Sequence, residues 1–359
     1  MNTIVCIRDL EQIAKESLDS SIFDFISGGS MDEVTLRENI RSYSQLNILP
    51  RVLTGAYDPD ISINLLGNKL NTPILIAPMA FHKLVHSNGE IASAQAARYA
   101  NTIMTISTFS TTSYKYIIQE LSIPPWFQIY ILKDRGLTKK IIEFAEQNGC
   151  NALIITVDAS IYGKRERELR NPLTIDIELP DLLTIKNQIS PNLELNKAIN
   201  FSSLLDPLIT WKDIDWIRSF SNLPIFIKGI LRPEDAKLAY EHGAKGVIVS
   251  NHGGRQLDTT PTALKMLPKI KDAIGDNLDV FIDGGIRRGT DVLKAIALGA
   301  KATLIGRPIL WGLANNGVDG VIKVFDILNQ ELKLSMSLTG CKTISDINKS
   351  ILLHPDSDK

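Results

Sequence analysis

The sequence has few cysteines, almost no net charge and no long apolar run. Its three cysteines, Cys6, Cys150 and Cys341, lie far apart and form no CxxC pair or metal-ligand spacing, so we expect a reducing compartment, no disulfide framework and no metal site. Thirty-nine Lys and Arg against 40 Asp and Glu give a net charge of -1, which indicates neither a nucleic-acid partner nor an anionic membrane surface. No apolar run approaches the ~18 residues that a membrane helix needs.

The chain ends also lack targeting signals. The N-terminus reaches Arg8 and Asp9 after a very short apolar stretch, which is too short for the core of a signal peptide. The C-terminal residues, HPDSDK, differ from an SKL-type peroxisomal signal. These absences predict a soluble, cytoplasmic protein.

The length of 359 residues leaves two architectures open. At about 150 residues per domain it fits two domains, and it fits equally well one (β/α)₈ barrel of about 250 residues with an extension. The hydrophobic pattern favours the barrel, because eight short runs rich in Ile and Val recur with helical segments between them. The runs are residues 73–78, 102–108, 126–131, 152–158, 224–229, 246–251, 280–285 and 302–307. The helical segments include residues 137–147, 232–242, 262–274 and 290–298.

An internal repeat supports the barrel. Residues 228–250 align with residues 284–306 at an offset of 56 residues. Each copy contains a strand end, a helix and a strand, so the offset spans two βα units, as expected of a barrel made of repeated modules. The identical pairs include Gly229 with Gly285, Arg232 with Arg288 and Gly243 with Gly299.

The sequence therefore predicts one α/β domain over residues 1–359, a (β/α)₈ barrel at residues 73–310. Residues 1–72 form an N-terminal helical cap with a helix at residues 9–18, a Gly-rich turn and an extended stretch to Val52. Residues 159–223 form a long loop after the fourth barrel strand, and this length is typical of a lid. Residues 311–359 form C-terminal helices.

Catalytic groups in a barrel lie at the carboxyl ends of its strands. The seventh and eighth strands end in DGGIRRG and IGRP. Their glycines leave backbone N–H groups free, and Arg287 and Arg307 can add charge-assisted bonds, so two adjacent loops of this kind predict a phosphate site. One such loop alone would be explained by a tight turn and a solvated arginine.

Lys228 ends the fifth strand, at a position that should be buried. A buried lysine is costly unless it is paired or reactive. It could form a Schiff base or stabilise negative charge on a cofactor ring. It could also be a structural lysine whose ammonium reaches the rim of the barrel.

The segment SNHGGRQLD after the sixth strand is the densest group of candidates. The imidazole of His252 can take a proton near neutral pH, and Arg255 can bind a carboxylate at two points. Asp158, at the end of the fourth strand, could orient that imidazole. Gln128 and Tyr130 face the same way on the third strand, and Arg165 follows the fourth strand within a charged run that could instead be a solvated helix face.

At these motifs the chain resembles the FMN-dependent (S)-2-hydroxy acid oxidases and dehydrogenases, which include glycolate, lactate and mandelate-type enzymes. The resemblance extends from FDFISGG to the LTGC segment, and SNHGGRQLD, DGGIRRGTDVLKAIALGA and IGRP carry it. It implies a barrel that binds FMN, usually as a tetramer.

The resemblance also implies a role for individual residues. His252 would be the catalytic base with Asp158 as its partner, Tyr130 would contact the substrate hydroxyl, and Arg165 and Arg255 would hold the substrate carboxylate. Lys228 would lie near N1 and O2 of the flavin. Ser107, Gln128 and Thr156 match flavin-ring positions, and Asp283, Arg287, Gly306 and Arg307 match the ribityl-phosphate site. Further cofactor contacts would be Pro78, Met79, Ala80, Ser250, Gly284 and Gly285.

Three residues depart from the family pattern. Phe25 stands where glycolate and lactate oxidases usually have a tyrosine that hydrogen-bonds the substrate carboxylate, Met79 replaces a small residue near the flavin, and Phe109 replaces a tryptophan of the glycolate oxidases. Together with PMAFHKL and RPILWGLA, they make the chain more similar to the 4-hydroxymandelate oxidases, whose substrates are aryl.

The resemblance thus implies oxidation of a 2-hydroxy acid to the 2-oxo acid, with His252 taking a proton and O₂ reduced to hydrogen peroxide. Carbanion and hydride routes fit the same residues. An aryl or larger substrate such as (S)-4-hydroxymandelate or mandelate is expected, and glycolate or L-lactate is the alternative. Two rivals are a non-flavin barrel that uses Lys228 as a Schiff base and an inactive homologue that only binds its ligand.

Overall fold

Eight parallel strands form a nearly closed barrel, which confirms the predicted fold class. The computed structural model describes residues 3–173, 178–189 and 203–353. After a two-stranded hairpin, β1 (Ile63–Leu65) and β2 (Asn68–Leu70), the barrel strands follow in chain order. They are β3 (Ile74–Ile76), β4 (Thr105–Ser107), β5 (Trp126–Ile129), β6 (Ala152–Thr156), β7 (Ile225–Ile230), β8 (Gly246–Val249), β9 (Asp279–Asp283) and β10 (Ala302–Ile305). Each falls within its predicted run or exceeds it by one residue at one end.

Strand pairing brings every carboxyl end to the same mouth. Each strand from β4 to β9 pairs in parallel with the next along the chain, and β10 also pairs with β3, with Thr303 opposite Ile74. A single bridge between Ile76 and Met104 joins β3 to β4 and closes the ring. Residues at the strand ends therefore converge on one opening, as a barrel requires.

Three aromatic side chains fill the interior of the barrel beneath that mouth. Trp126 stacks on Phe226 with ring centroids 4.5 Å apart, and Phe281 meets both rings edge-on. All three are fully buried. Leu65 and Leu70 of the β1–β2 hairpin belong to the same buried cluster. Because side chains fill the interior of the barrel, the active-site cavity lies at the mouth and not along the barrel axis.

Thirteen helices surround the barrel in the described part of the chain. They are α1 (Ile7–Ser17), α2 (Ser20–Ser27), α3 (Val34–Ser44), α4 (Gly89–Tyr99), α5 (Tyr114–Gln119), α6 (Arg135–Gln147), α7 (Glu166–Arg170), α8 (Pro180–Ile189), α9 (Trp211–Arg218), α10 (Pro233–Glu241), α11 (Ala263–Ile274), α12 (Gly289–Ala297) and α13 (Arg307–Thr339). α1, α6, α10, α11 and α12 confirm the five predicted helices. None of the described helices is long and apolar enough to cross a membrane.

The prediction of an extended stretch from the Gly-rich turn to Val52 is wrong, because α3 occupies much of it. The buried face of α3 includes the polar residues Thr35 and Asn39, so its sequence lacks an apolar stripe. Its N-terminus is capped from the barrel, where Asp258 accepts hydrogen bonds from the backbone N–H groups of Val34 at 3.2 Å and Thr35 at 2.8 Å. A cap that lies more than 220 residues away along the chain cannot be found by local sequence patterns.

The predicted boundary between residues 310 and 311 falls inside α13. That helix begins at Arg307, directly after β10, and contains a kink at Asn316 and Gly317. The predicted lid, residues 159–223, contains α7, α8 and α9, and its residues 174–177 and 190–202 lie outside the described residues. The same holds for residues 354–359 of the predicted C-terminal segment.

Candidate active site

A cavity of about 630 Å³ opens at the mouth of the barrel, a size typical of cofactor and substrate sites. Three predicted residues lie directly behind its lining: Thr156, Asp158 and Ser250 hydrogen-bond to Gln128, His252 and Lys228. The predicted residues that line the cavity are Phe25, Pro78, Met79, Ala80, Ser107, Gln128, Tyr130, Arg165, Lys228, His252, Arg255, Asp283, Gly284, Gly285, Arg287, Gly306 and Arg307. The fold therefore brings the predicted site residues together.

His252 and Asp158 form a hydrogen-bonded pair at the mouth. Nδ1 of His252 lies 2.8 Å from Oδ1 of Asp158, which leaves Nε2 of a neutral imidazole free to accept a proton. The pair depends on Gly229, because a Cβ there would lie 2.5 Å from the Cβ of Asp158. Burial lowers the pKa of His252, and the Asp158 carboxylate opposes that shift. An imidazole with a lowered pKa is neutral at pH 7 and can act as a base.

Lys228 lies between two acceptors at the end of β7. Its Nζ is 3.2 Å from Oγ of Ser250 and 3.2 Å from Oδ2 of Asp283. Although burial lowers the pKa of Lys228, the Asp283 and Asp158 carboxylates raise it above its ordinary value. The amine is therefore charged at neutral pH. This disfavours the Schiff-base alternative, which needs a neutral amine, and favours a role as a fixed positive charge.

Two arginines meet at the outer part of the cavity. Nε of Arg165 donates to the backbone O of Arg255 at 3.2 Å. Nη1 of Arg255 donates to the backbone O of Phe25 at 2.6 Å and of Gly28 at 3.1 Å. Burial and the charge of Arg165 lower the pKa of Arg255 to about 10, so the Arg255 guanidinium is still charged at neutral pH. Two adjacent cations form a site for a carboxylate.

Glu168 contacts both of these arginines and was not among the predicted site residues. Its Oε1 lies 3.3 Å from Nη1 of Arg165 and 3.2 Å from Nη2 of Arg255. In the sequence it stands in a charged run, YGKRERELRN, in which no local signal distinguishes it from its neighbours. Only the packing of α7 against the mouth brings this one carboxylate to the arginines.

An aromatic wall bounds one side of the cavity. Neighbouring ring centroids lie 6.0 Å apart for Phe25 and Phe81, 6.2 Å for Phe81 and Phe109, and 5.5 Å for Phe109 and Tyr130. Burial raises the pKa of Tyr130 to about 12, so its hydroxyl stays a donor. Phe81 was missed by sequence reasoning because it follows β3 in a loop, where a phenylalanine carries no periodic signal.

A buried network supports this wall from behind. The Glu90 carboxylate accepts hydrogen bonds from the backbone N–H groups of His82 at 3.3 Å and Thr111 at 2.8 Å, and from the hydroxyl of Thr112 at 2.9 Å. His82, which has no predicted role, bonds to Ser93 through Nδ1 at 2.9 Å. The network joins the loops after β3 and β4 that carry Phe81 and Phe109.

Polar side chains form a short ladder across three strands on the floor of the cavity. Oγ of Ser107 donates to Oε1 of Gln128 at 3.2 Å, and Nε2 of Gln128 donates to Oγ1 of Thr156 at 3.1 Å. The ladder fixes the orientation of the Gln128 amide. It offers donors and acceptors to a flat heterocycle that carries both kinds of polar atom, which suits a flavin ring.

The other end of the cavity, which adjoins the substrate arginines at the backbone O of Gly28, is built for a phosphate. Gly284 and Gly285 have φ of 94° and 81°, and a Cβ on Gly285 would lie 2.0 Å from the backbone O of Asn39. Burial and the nearby Arg255 and Arg287 lower the pKa of Arg307 well below its ordinary value, and the buried Nε of Arg287 has no hydrogen-bond partner among the described residues. Cations buried together with no ion pair to a described carboxylate indicate a bound anion, so the residues fit the phosphate of FMN.

Comparison with known proteins agrees with this geometry. The model of the FMN-dependent dehydrogenase family matches residues 14–354. The 2-hydroxyacid oxidase of Dictyostelium discoideum is 42% identical over 98% of this chain and 91% of its own length. The L-lactate oxidase of Nostoc sp. is 45% identical over 96% of each chain.

Solved structures give the same result. A mandelate oxidase superposes with a TM-score of 0.86 at 37% identity over 98% of both chains. A Pediococcus acidilactici protein described as a lactate oxidase superposes with a TM-score of 0.92 at 35% identity, over 98% of this chain and 95% of its own. The chain therefore belongs to the FMN-dependent dehydrogenase family, and its cofactor is FMN.

Proposed function

We propose that this protein oxidises an (S)-2-hydroxy acid to the 2-oxo acid, with O₂ reduced to hydrogen peroxide, and that aryl or larger substrates are preferred. The observation that carries the proposal is one cavity in which the His252–Asp158 pair lies between two carboxylate-binding arginines and a buried lysine at the flavin position. The overall reaction balances, because the substrate loses two hydrogens and O₂ gains them.

The arginines orient the substrate. Arg255 and Arg165 bind its carboxylate, which leaves the α-carbon and its hydroxyl near the imidazole of His252 and the phenol of Tyr130. The aromatic wall that ends at Tyr130 excludes water on that side of the cavity. Specificity for one enantiomer follows from fixing the carboxylate, the hydroxyl and the side chain at three separate places.

His252 takes the proton that the substrate loses. Its Nδ1–H donates to Asp158, so Nε2 is the basic atom, and the Asp158 carboxylate stabilises the imidazolium that forms. Tyr130 stays protonated and donates to the substrate hydroxyl oxygen. The same groups serve whether the α-hydrogen leaves as a proton or as a hydride.

FMN would supply the two-electron redox chemistry between the substrate and O₂. Lys228 would hold the flavin ring, and its fixed positive charge would favour negative charge there. Ser107, Gln128 and Thr156 would hold polar atoms of the ring. The phosphate would be held by Arg287 and Arg307 with the N–H groups after β9 and β10, and the remaining predicted cofactor contacts are Pro78, Met79, Ala80, Ser250, Asp283, Gly284, Gly285 and Gly306.

The preference for an aryl substrate rests on the lining of the cavity. Phe25 has no hydroxyl for a substrate carboxylate, and with Phe81, Phe109 and Met79 it offers an apolar surface to the substrate side chain. A small substrate such as glycolate would leave that surface unfilled. One solved neighbour, a mandelate oxidase mutant at 38% identity, was determined with (S)-mandelic acid.

The second candidate is a glycolate or L-lactate oxidase, which the Nostoc L-lactate oxidase at 45% identity favours. A peroxide assay over glycolate, L-lactate, long-chain 2-hydroxy acids, mandelate and 4-hydroxymandelate separates the two. We expect the highest kcat/KM for an aryl substrate, and a clear preference for glycolate would contradict the proposal. The tetramer and the cytoplasmic location stay predictions.

A further inference from the structure

We infer that Glu168 is a built-in competitor for the substrate carboxylate: it neutralises Arg165 and Arg255 in the free enzyme and must leave them when a hydroxy acid binds. The inference rests on the proposed function, which assigns the two arginines to the substrate carboxylate. It adds a residue that sets the affinity of that site and that no sequence motif indicated.

The contacts of Glu168 resemble those expected of the ligand. A single carboxylate oxygen, Oε1, bridges Nη1 of Arg165 and Nη2 of Arg255 at 3.3 and 3.2 Å. The side chain of Arg165 is 6% exposed and that of Arg255 is 15% exposed. An anion from solvent therefore reaches them mainly by entering the cavity. Because Glu168 itself lines the cavity, an incoming carboxylate and Glu168 compete for the same guanidinium donors.

The free enzyme needs this counter-charge. Arg255 is buried beside Arg165, and both burial and the neighbouring cation lower its pKa to about 10. Two guanidiniums without an anion would repel each other in a site of low polarity. Glu168 supplies the missing negative charge without closing the cavity, so both arginines keep their positions between turnovers.

The surroundings of Glu168 allow it to leave while its helix stays in place. Arg167 anchors α7 to α2 and α3 through Glu33 at 2.5 Å, and Asn171 donates to Asp24 at 3.2 Å. Glu168 is 18% exposed, and its neighbour Leu169 faces solvent. A change of side-chain rotamer therefore moves the carboxylate into water, where it is well solvated.

Competition by Glu168 also affects release of the product. The 2-oxo acid product carries the same carboxylate as the substrate, so tight binding by two buried arginines would slow its release. The return of Glu168 to the arginines offsets part of that affinity for substrate and product alike. Glu168 thus lowers the affinity of the site for any monocarboxylate.

The test uses the FMN-loaded enzyme and two carboxylates that cannot be oxidised, benzoate and acetate. The Kd of each is measured from the change in flavin absorbance on titration. We expect Glu168→Gln to lower both Kd values by about fivefold, the scale of one partly exposed ion pair. Glu166→Gln is the matched control, because Glu166 lies in the same helix and pairs with Lys164 at 3.2 Å and with Arg170 away from the arginine pair.

Two results of the titration would overturn the inference. A higher Kd in Glu168→Gln would mean that the carboxylate supports ligand binding by positioning the arginines. A Kd that changes no more than in Glu166→Gln would mean that it does not compete. The shorter Glu168→Asp, which keeps the charge but cannot bridge both guanidiniums in the same way, should lie between the wild type and Glu168→Gln.

A structure of the wild-type enzyme with benzoate tests the same point without any variant. We expect benzoate on Arg165 and Arg255 and the Glu168 carboxylate beyond 4 Å from at least one guanidinium, and persistence of both contacts would overturn the inference. If Glu168 is displaced but no hydroxy acid is oxidised, the proposed function fails and the competition stands. Benzoate bound away from the arginines would contradict both.

Discussion

The two ends of the cavity are both rich in arginine but differ in how that charge is balanced. At the substrate end, Arg165 and Arg255 share one carboxylate oxygen of Glu168. At the phosphate end, Arg287 and Arg307 form no ion pair within the described part of the chain. Arg307 instead donates to the backbone O atoms of Ile26 and Gly28, and the Gly28 oxygen also accepts from Arg255, so the two ends adjoin there.

The difference matches the lifetimes of the two ligands. A cofactor that stays bound can supply the counter-charge of its own site, so no protein carboxylate is needed there and the site is strained without its anion. A substrate that leaves in every cycle exposes its arginines each time, so an internal anion is useful. The same residue type therefore serves a permanent ligand at one end and a transient ligand at the other.

The largest effect is expected at the substrate end, from His252→Ala. Loss of the base should lower kcat by about 10³-fold, within the usual range for general bases, while flavin content and the Kd of benzoate stay close to those of the wild type. His242→Ala is the matched control, because His242 forms a similar pair with Asp215 at 2.9 Å on the surface. Equal activity of the two variants would refute the mechanism.

Arginine variants at the two ends should produce opposite defects. Arg255→Gln should raise KM for the hydroxy acid by about 100-fold but keep FMN, whereas Arg287→Gln should weaken FMN binding by a similar factor, the scale of one charge-assisted contact. Flavin retained on gel filtration and KM at saturating FMN measure the two defects separately. If either variant lost FMN binding and substrate binding to the same extent, the two ends of the cavity would not have separate roles.

The pH dependence of kcat/KM should report His252. Because burial lowers the pKa of His252 in the folded enzyme, the neutral base persists at pH 7, and activity should fall about tenfold per pH unit only below the lowered pKa, which lies under the ordinary value of about 6.5. Asp158→Asn removes the main influence that raises this pKa, so the acid limb should move to lower pH. A limb that moves to higher pH would contradict the pairing.

The smallest effect is expected from Phe25→Tyr, which adds a hydroxyl beside the substrate arginines. One new hydrogen bond should raise kcat/KM for glycolate relative to mandelate by about fivefold. Phe81→Tyr, on the same aromatic wall but farther along from Arg255, is the control. If Phe25→Tyr leaves the ratio unchanged, the aromatic wall does not select against small substrates.

Sequence patterns predicted most of the fold because the apolar runs and turn glycines that specify it are local features of the chain. All eight barrel strands carry their own apolar runs, and glycines of the repeat keep left-handed backbone in both copies, with φ of 73° at Gly243 and 107° at Gly299. The helix α3 was missed because its cap, Asp258, belongs to the barrel. The predicted end of the barrel, residue 310, falls inside α13 because that helix begins at Arg307, soon after β10 ends at Ile305.

The sequence by itself determined the barrel, the family and the residue types at the strand ends, because these depend on periodicity and on short contiguous motifs. Only the tertiary structure decided which charges meet. Of the charged residues in one run, only Glu168 contacts both substrate arginines. Glu90 bonds to the loops behind the aromatic wall, and the Asp283 carboxylate raises the pKa of Lys228. The physical reason is that electrostatic interactions depend on distance and burial, which the fold sets between residues far apart in the chain.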